Sequence, residues 1–193
     1  MDLQTRAVNI LTQPKTEWTV IASETTDAAT LYKSYIMILA AIPPVAGYIG
    51  MTVFGISLPL MGRYRVGVVQ GFTAAVVQYV LSLAGVFVAS LVIDKLAPTF
   101  KSQSNSMQAL KLVAYAATAS WLAGALSLLP ALAPLAIIGG LYGIYLFYLG
   151  VAPLMRTPND QIIPYIVVSA LVVIVVMFVT GVVATAMTGA MRF

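Results

Sequence analysis

The pattern of apolar and charged positions divides most of the chain into long stretches without a charged side chain. These stretches are 34–62, 66–93, 112–155 and 162–191. A helix needs about 20 apolar residues to cross a bilayer, so the first, second and fourth stretches each predict one transmembrane helix. The third stretch is about twice as long as one helix needs, and Pro130 and Pro134 break it into two helices. The pattern therefore predicts five spans, at about 34–61, 67–93, 110–129, 134–153 and 163–188.

The spans are predicted to be helices rather than the strands of a membrane barrel. Barrel strands alternate apolar and polar residues, whereas residues 170–179 read ALVVIVVMFV without any alternation. The predicted fold class is all-α. We expect a polytopic integral membrane protein with a bundle of five transmembrane helices (34–193), preceded by a short interfacial N-terminal helical segment (1–33).

Composition supports lipid as the main solvent and limits the chemistry of the chain. Hydrophobic residues make up 61% and charged residues 8%, whereas about a quarter of a soluble domain is charged. The chain has no Cys and no His, which excludes disulfides, cysteine nucleophiles and a Ser-His-Asp triad. We therefore expect no enzyme, no cofactor and no metal site, although six acidic residues leave a carboxylate metal site open. The net charge of +4 is small and indicates lipid headgroups rather than nucleic acid as a partner.

The distribution of basic residues predicts the orientation. An odd number of spans puts the termini on opposite faces. Seven basic residues lie on the N-terminal face: Arg6, Lys15, Lys33, Lys95, Lys101, Lys111 and Arg156. The opposite face has Arg63, Arg65 and Arg192. Because basic residues favour the cytoplasm, we expect the N-terminus in the cytoplasm and the C-terminus outside, with no cleavable signal peptide.

The N-terminal segment shows two short helical patterns. Residues 3–11 place Leu3, Ala7, Ile10 and Leu11 on one face. Pro14 can begin a second helix, in which Trp18, Ile21 and Ala22 are apolar and Lys15 and Glu17 form the polar side. Two interpretations are open: helices lying on the cytoplasmic membrane surface, or a cap packed on the bundle. Thr26 and Asp27 are expected to cap the first span.

Polar residues and prolines in the first two spans could form a pathway through the membrane. Pro43 and Pro44 remove two backbone donors near the middle of span one. Gln70, Thr73 and Gln78 lie on or beside one stripe of span two. These residues could form a hinge and a solute route, or a packed kink and hydrogen bonds between helices. No charged residue lies deep in a predicted span, which argues against a charge-coupled transporter.

Residues 141–161 read LYGIYLFYLGVAPLMRTPNDQ and form the densest motif of the chain. Three tyrosines recur at intervals of three along one face, glycines offer flat surfaces to neighbouring helices, and two prolines end the helix. The pattern predicts a packing helix with a cytoplasmic exit, and a ligand pocket is the alternative. The candidate site residues are Gly139, Tyr142, Gly143, Tyr145, Tyr148, Gly150, Pro153, Arg156 and Pro158.

This motif resembles the signature segment of the Yip family, five-span membrane proteins related to Rab-interacting proteins. Residues 9–24, NILTQPKTEWTVIASE, are similar to the opening of its prokaryotic branch. The resemblance implies a bacterial or archaeal inner membrane protein. Eukaryotic relatives are associated with vesicle traffic and bind prenylated Rab GTPases. Their long cytosolic N-terminal region has no counterpart among the roughly 33 residues before span one, too few for a folded domain, so Rab binding is not expected.

Three functional hypotheses follow. The first is a non-enzymatic membrane protein that organises the membrane or binds a membrane partner: a lipid, a second copy of the chain or another membrane protein. The second is a transporter or channel for a neutral solute, a lipid or an ion. The third, with the least support, is an intramembrane enzyme using Asp94, Asp160 and the lysines at the membrane edge for a reaction on lipid headgroups.

Overall fold

The protein folds as a bundle of helices. The structure, a computed structural model, describes the backbone of residues 2–58 and 62–190. It describes their side chains apart from 56–58, 62, 63 and some positions between 173 and 190. Two short helices open the chain, α1 (Leu3–Thr12) and α2 (Pro14–Ser23). Pro14 occupies the first turn of α2, where the missing N–H of proline costs no hydrogen bond.

The first long helix, Ala28–Phe54, is built from short segments in series. These are α3 (Ala28–Leu31), a π-helical turn (Tyr32–Ile36), α4 (Met37–Ala40), α5 (Ile42–Ile49) and a second π-helical turn (Gly50–Phe54). The predicted cap is at Asp27, whose carboxylate accepts hydrogen bonds from Thr30 N at 2.9 Å and Thr30 Oγ1 at 2.7 Å. These hydrogen bonds lower the pKa of Asp27.

The first helix ends earlier than predicted. It ends at Phe54 because Gly55 adopts φ of +68°, a backbone conformation that side chains disfavour. Two antiparallel strands follow, β1 (Ile56–Leu58) and β2 (Gly62–Tyr64), with Ile56 opposite Tyr64. The predicted end at residue 61 lies outside the described residues. The all-α prediction missed this hairpin because an apolar, charge-free run does not distinguish a helix from a short strand.

The remaining helices agree with the predicted order. They are α6 (Val68–Leu96), α7 (Ser106–Ala116), α8 (Thr118–Ala123), α9 (Ala136–Met155) and α10 (Asn159–Ala190). Turns of 3-10 helix extend α6 (Ala97–Phe100), extend α8 (Gly124–Leu128) and precede α9 (Pro130–Leu135). The predicted proline break is at Leu129, whose extended backbone separates the two helical segments.

Four helices in the described part of the chain are long and apolar enough to cross a membrane: Ala28–Phe54, Val68–Phe100, Ser106–Leu128 and Pro130–Met155. Helix α10 is 32 residues long, and the apolar stretch identified among its described side chains is Ile162–Val172. The predicted helical membrane protein is thus confirmed with four membrane-length apolar helices.

The N-terminal helices belong to the core of the bundle. Ile10 and Ile21 are fully buried, and Trp18 is 1% exposed. Helix α2 packs along α9, and α1 contacts α8. Of the two interpretations of this segment, the structure therefore shows the packed one.

Candidate functional site

The two N-terminal helices form a hairpin that reaches far along the bundle. The hydroxyl of Tyr142 donates a 2.7 Å hydrogen bond to the carbonyl oxygen of Leu11. Tyr142 lies about 20 Å along the axis of α9 from Met155, at 1.5 Å per residue. The turn between α1 and α2, at Thr12 and Gln13, therefore lies beside the N-terminal half of α9. We call residues 2–24 the N-terminal hairpin.

A glycine of the predicted motif makes room for this hairpin. A Cβ added at Gly150 would stand 2.7 Å from Leu112 Cδ1 and 2.8 Å from the indole ring of Trp18. The indole also meets the edge of Tyr115, with ring centroids 6.3 Å apart at 80°. The Trp18 Nε1 is buried and has no hydrogen-bond partner among the described residues. Close packing, rather than hydrogen bonding, holds this indole in place.

Opposite charges are buried between the two helices of the hairpin. Arg6 and Glu17 are 4% and 5% exposed, and their side chains are paired. Arg6 also pairs with Glu24, whose Oε2 accepts from Nη2 at 2.6 Å, and its guanidinium lies 5.7 Å from the ring centroid of Tyr115. Burial opposes the charged guanidinium, but the hydrogen bond and charge of Glu24 and the charge of Glu17 outweigh it. The pKa of Arg6 is therefore raised, and it stays a cation.

Two polar side chains of α7 bind the C-terminal end of α2. The Lys111 ammonium donates to the carbonyl oxygens of Ile21, at 3.0 Å, and Glu24. The amide of Gln108 donates to the carbonyl oxygen of Ala22 at 3.0 Å. The last carbonyls of a helix have no partners within it, and the helix dipole favours a cation there. Lys111, which is 2% exposed, is thus a buried cap of α2 rather than a surface charge.

Sequence reasoning missed this buried charge cluster, defined as the buried Arg6, Glu17 and Lys111 together with the partly exposed Glu24. It counted Arg6 and Lys111 as cytoplasmic surface charges and placed Glu17 on the polar side of its helix. All three are buried. The sequence did contain a signal for these buried charges. Arg6 comes four residues before Ile10, and Glu17 comes four residues before Ile21, so each charge lies at the apolar face of its helix. Two opposite charges in equivalent places indicate a buried pair.

The glycines of the predicted motif lie against α7 and α8. A Cβ at Gly139 would clash with Ala119 and Ala123. At Gly143 it would lie 3.1 Å from the Ala116 carbonyl oxygen and 3.2 Å from Ser120 Oγ. Small residues thus bring α9 into backbone contact with its neighbours.

The tyrosines of the motif divide between the inside and the outside of the bundle. Tyr142 is partly buried and bound to the hairpin, while Tyr145 and Tyr148 are 41% and 43% exposed. Tyr145 and Tyr148 line a groove of about 360 Å³ between α9 and α10. Its lining residues are Leu141, Ile144, Tyr145, Tyr148, Ile163, Ile166 and Val167. We call this the outer groove.

The end of the motif joins two loops. Pro153 lies in the last turn of α9, Arg156 is exposed with φ of +51°, and Pro158 precedes α10. Thr157 Oγ1 and Ser102 Oγ share a 2.8 Å hydrogen bond, and Gln103 N donates to the Met155 carbonyl oxygen at 2.8 Å. These contacts fix the loop after α9 against the loop before α7.

The proposed polar pathway is not assembled. Pro43 packs on Gly124, where an added Cβ would stand 2.5 Å from the proline ring, and Pro44 is buried. Gln70 and Gln78 are exposed on α6, and Thr73 donates to the Val69 carbonyl oxygen of its own helix. The prolines are therefore a packed kink, and the glutamines lie on the outer surface instead of facing a shared interior route.

The two aspartates suggested for an enzyme bind neighbouring side chains. Asp94 accepts a 2.7 Å hydrogen bond from Ser104 Oγ. The hydrogen bond from Gln161 lowers the pKa of the exposed Asp160. In the part of the chain that the structure describes, no three acidic side chains come together as a metal site.

Comparisons with known proteins agree with this architecture. A model of the Yip1 domain family matches residues 8–181. Two relatives called Inner membrane protein YohC come from Escherichia coli strains K12 and O6:H1 (CFT073). Each is 26% identical over 155 residues, which cover 79% of this chain and 80% of the relative. No solved structure matches the chain. Because the family match covers most of the chain, from α1 into α10, and includes residues 8–24 of the hairpin and the whole tyrosine-glycine motif, the chain belongs to the Yip1 domain family.

Proposed function

We propose that the protein is a non-enzymatic inner membrane protein that organises the membrane by binding lipid in the outer groove. The observation that carries the proposal is the exposure of two tyrosines in an otherwise aliphatic groove. A tyrosine hydroxyl in hydrocarbon favours a hydrogen-bond partner, and the ester oxygens of a phospholipid supply acceptors beside an acyl chain. Tyr148 and Tyr145 lie about 10 and 15 Å along α9 from Met155, within reach of one lipid leaflet.

The proposed setting has five crossings, with the N-terminus in the cytoplasm. At 1.5 Å per residue, α10 is about 48 Å long, which exceeds the roughly 30 Å hydrocarbon layer. Basic residues are concentrated on the N-terminal side. Three basic residues, Arg63, Arg65 and Arg192, lie on the opposite face and do not follow this bias. The side chain of Arg63 and the whole of Arg192 lie outside the described part of the chain. The N-terminal hairpin then enters the membrane from the cytoplasmic side.

A photoreactive phosphatidylethanolamine with a diazirine in its acyl chain tests lipid binding. We expect its crosslinks to concentrate in the α9 and α10 peptides and to fall several-fold when Tyr145 and Tyr148 are both changed to Leu. The matched control is Phe87→Leu, because Phe87 is 50% exposed on α6. Crosslinks spread evenly over all helices and unchanged in the double variant would contradict the proposal.

The second candidate, a transporter or channel, is favoured by the buried charge cluster. Ionisable residues at membrane depth often mark solute or ion pathways. A segment that enters the membrane without crossing it, as proposed here for the N-terminal hairpin, is tolerated when protein covers it. Purified protein in liposomes tests this candidate. Flux that depends on the protein and is lost in Glu17→Gln supports transport, whereas loss in Gln78→Leu alone places the route on α6. A lack of flux across broad sets of neutral solutes, lipids and ions disfavours it.

The absence of an enzyme activity belongs to the same proposal. The chain has no Cys and no His, and the two candidate aspartates lie on separate helices, Asp94 near the end of α6 and Asp160 in the first turn of α10, each bound to a neighbouring polar side chain. Turnover of a copurified lipid by the purified protein would overturn this part.

A further inference from the structure

Two loops beside the outer groove are fixed to each other and carry exposed charges. The 2.8 Å hydrogen bond between Ser102 Oγ and Thr157 Oγ1 joins the loop after α6 to the loop after α9. Each of these two residues follows or precedes an exposed basic residue in the sequence: Lys101 comes directly before Ser102, and Arg156 comes directly before Thr157. The two bases therefore lie near each other, on either side of one hydrogen bond.

An acidic side chain completes this set of charges. Asp160 lies in the first turn of α10, three residues after Thr157, and is exposed. Its pKa is lowered by the hydrogen bond from Gln161 and, to a smaller degree, by the charge of Lys101, so the two opposite charges are close enough to interact. In the described part of the chain, neither Asp160 nor the two bases forms an ion pair. We call Lys101, Arg156 and Asp160 the charged rim.

The charged rim lies at one end of the outer groove. Ile163, which lines the groove, comes one turn after Asp160 on the same side of α10. On α9, Tyr148 lines the groove about 12 Å along the axis from Arg156. The lining of α9 then continues away from the rim and ends at Leu141. Along α9, the groove therefore presents charge first, then the two tyrosines, and then aliphatic side chains.

We propose that the charged rim selects, for the outer groove, a zwitterionic phospholipid with a primary ammonium group, such as phosphatidylethanolamine. A phospholipid carries its charged headgroup, its ester oxygens and its acyl chain in the same order as the groove presents groups that complement them. Arg156 and Lys101 donate to the phosphate, and the carboxylate of Asp160 accepts from the ammonium. This inference rests on the proposed binding of lipid in the outer groove and adds the chemistry of the headgroup.

Asp160 is the residue that distinguishes one headgroup from another. Every phospholipid has a phosphate, so the two bases of the rim attract all of them. The quaternary ammonium of phosphatidylcholine has no N–H to donate, and phosphatidylglycerol has no cation, so neither can replace the ammonium at the carboxylate. Because exposed ion pairs are weak, we expect a preference of only about twofold to fivefold for phosphatidylethanolamine.

Three photoreactive lipids test this selection: phosphatidylethanolamine, phosphatidylglycerol and phosphatidylcholine, each with the same diazirine acyl chain. Each is added in trace amount to phosphatidylcholine vesicles that contain the full chain, and crosslinks to the α9 and α10 peptides are quantified. The parent should favour phosphatidylethanolamine over both other lipids by about twofold to fivefold. Asp160→Asn should abolish this preference, and Asp160→Glu, which keeps the carboxylate, should retain it.

Two further variants separate the bases of the rim from other surface charges. Arg156→Gln should lower the crosslinking of all three lipids, because all three carry the phosphate. Lys33→Gln is the control, since Lys33 is an exposed base near the start of the first long helix, and it should change neither the yield nor the preference.

Equal crosslinking of the three lipids at α9 and α10 would overturn the inference and leave lipid binding in the groove intact. A preference for phosphatidylglycerol would overturn it too, because the rim would then act only as a positive surface. The same holds for a preference for phosphatidylethanolamine that survives Asp160→Asn. If no lipid crosslinks to α9 and α10, the proposed function itself fails, and this inference fails with it.

Discussion

Removal of Arg6 should release the N-terminal hairpin. In Arg6→Leu, Glu17 keeps only a 3.3 Å hydrogen bond from Asn9, and its side chain is 6% exposed. Breaking a buried ion pair by removing one partner costs about 3–5 kcal/mol, because the remaining charge is buried without compensation. At 1.36 kcal/mol per tenfold change, the open population of the hairpin should rise by about 150-fold to several thousandfold.

The reactivity of a buried thiol measures this opening. Ala7 is 7% exposed in α1, and the chain has no other cysteine, so Ala7→Cys provides a single reporter. When opening is fast relative to labelling, the rate of maleimide modification in detergent follows the open population. Lys15→Leu is the control, because Lys15 is an exposed cation of the same hairpin. We expect it to change the rate by less than about twofold, since exposed charges contribute little.

The double variant Arg6→Leu with Glu17→Leu distinguishes two causes of opening: the burial of a charge without its partner, and the loss of the contact between the two helices of the hairpin. Replacing a buried ion pair with apolar side chains is often neutral or stabilising. The labelling rate should therefore return most of the way to that of the parent. Equal rates for the parent and the Arg6→Leu variant would refute the reasoning, and so would a double variant that labels as fast as the single one.

Three further variants test individual contacts by the shift in thermal unfolding in detergent. Gly150→Ala should destabilise the fold by about 1–3 kcal/mol, because the new methyl would overlap Trp18. Gly140→Ala is its control, since nothing lies within 4 Å of that position, and a loss as large as that of Gly150→Ala would contradict the argument. Tyr142→Phe should cost about 0.5–1.5 kcal/mol through loss of one hydrogen bond to α1, and no loss would refute that role. Gly55→Ala should cost about 1 kcal/mol or more at φ of +68°, and an unchanged midpoint would disprove the strain.

The features set by burial in hydrocarbon could be predicted from sequence. Charge-free stretches mark membrane helices because a bare charge is excluded from lipid, and Pro130 marks the break before α9 because proline cannot continue a helix. Asp27 caps the first long helix, as its short carboxylate side chain suggested. These signals are local, so a single sequence carries them.

The features set by tertiary pairing could not be predicted in the same way. Lys111 was counted as a loop charge because it lies at the edge of a charge-free stretch, yet its ammonium reaches carbonyls of α2 some 90 positions away in sequence. Glu17 was assigned to water because its partner, Arg6, is on another helix. Tyr145 and Tyr148 were grouped with Tyr142, but drift around α9 turns them outward. In each case the partner, not the residue type, decides the environment.

The most direct test of the account is the side of the membrane on which each end of the chain lies. In spheroplasts, an external protease should remove a C-terminal epitope tag, while a thiol at Gln4→Cys should react with an impermeant maleimide only after the membrane is permeabilised. Exposure of both ends to the same side would contradict an odd number of crossings and, with it, entry of the hairpin from the cytoplasm.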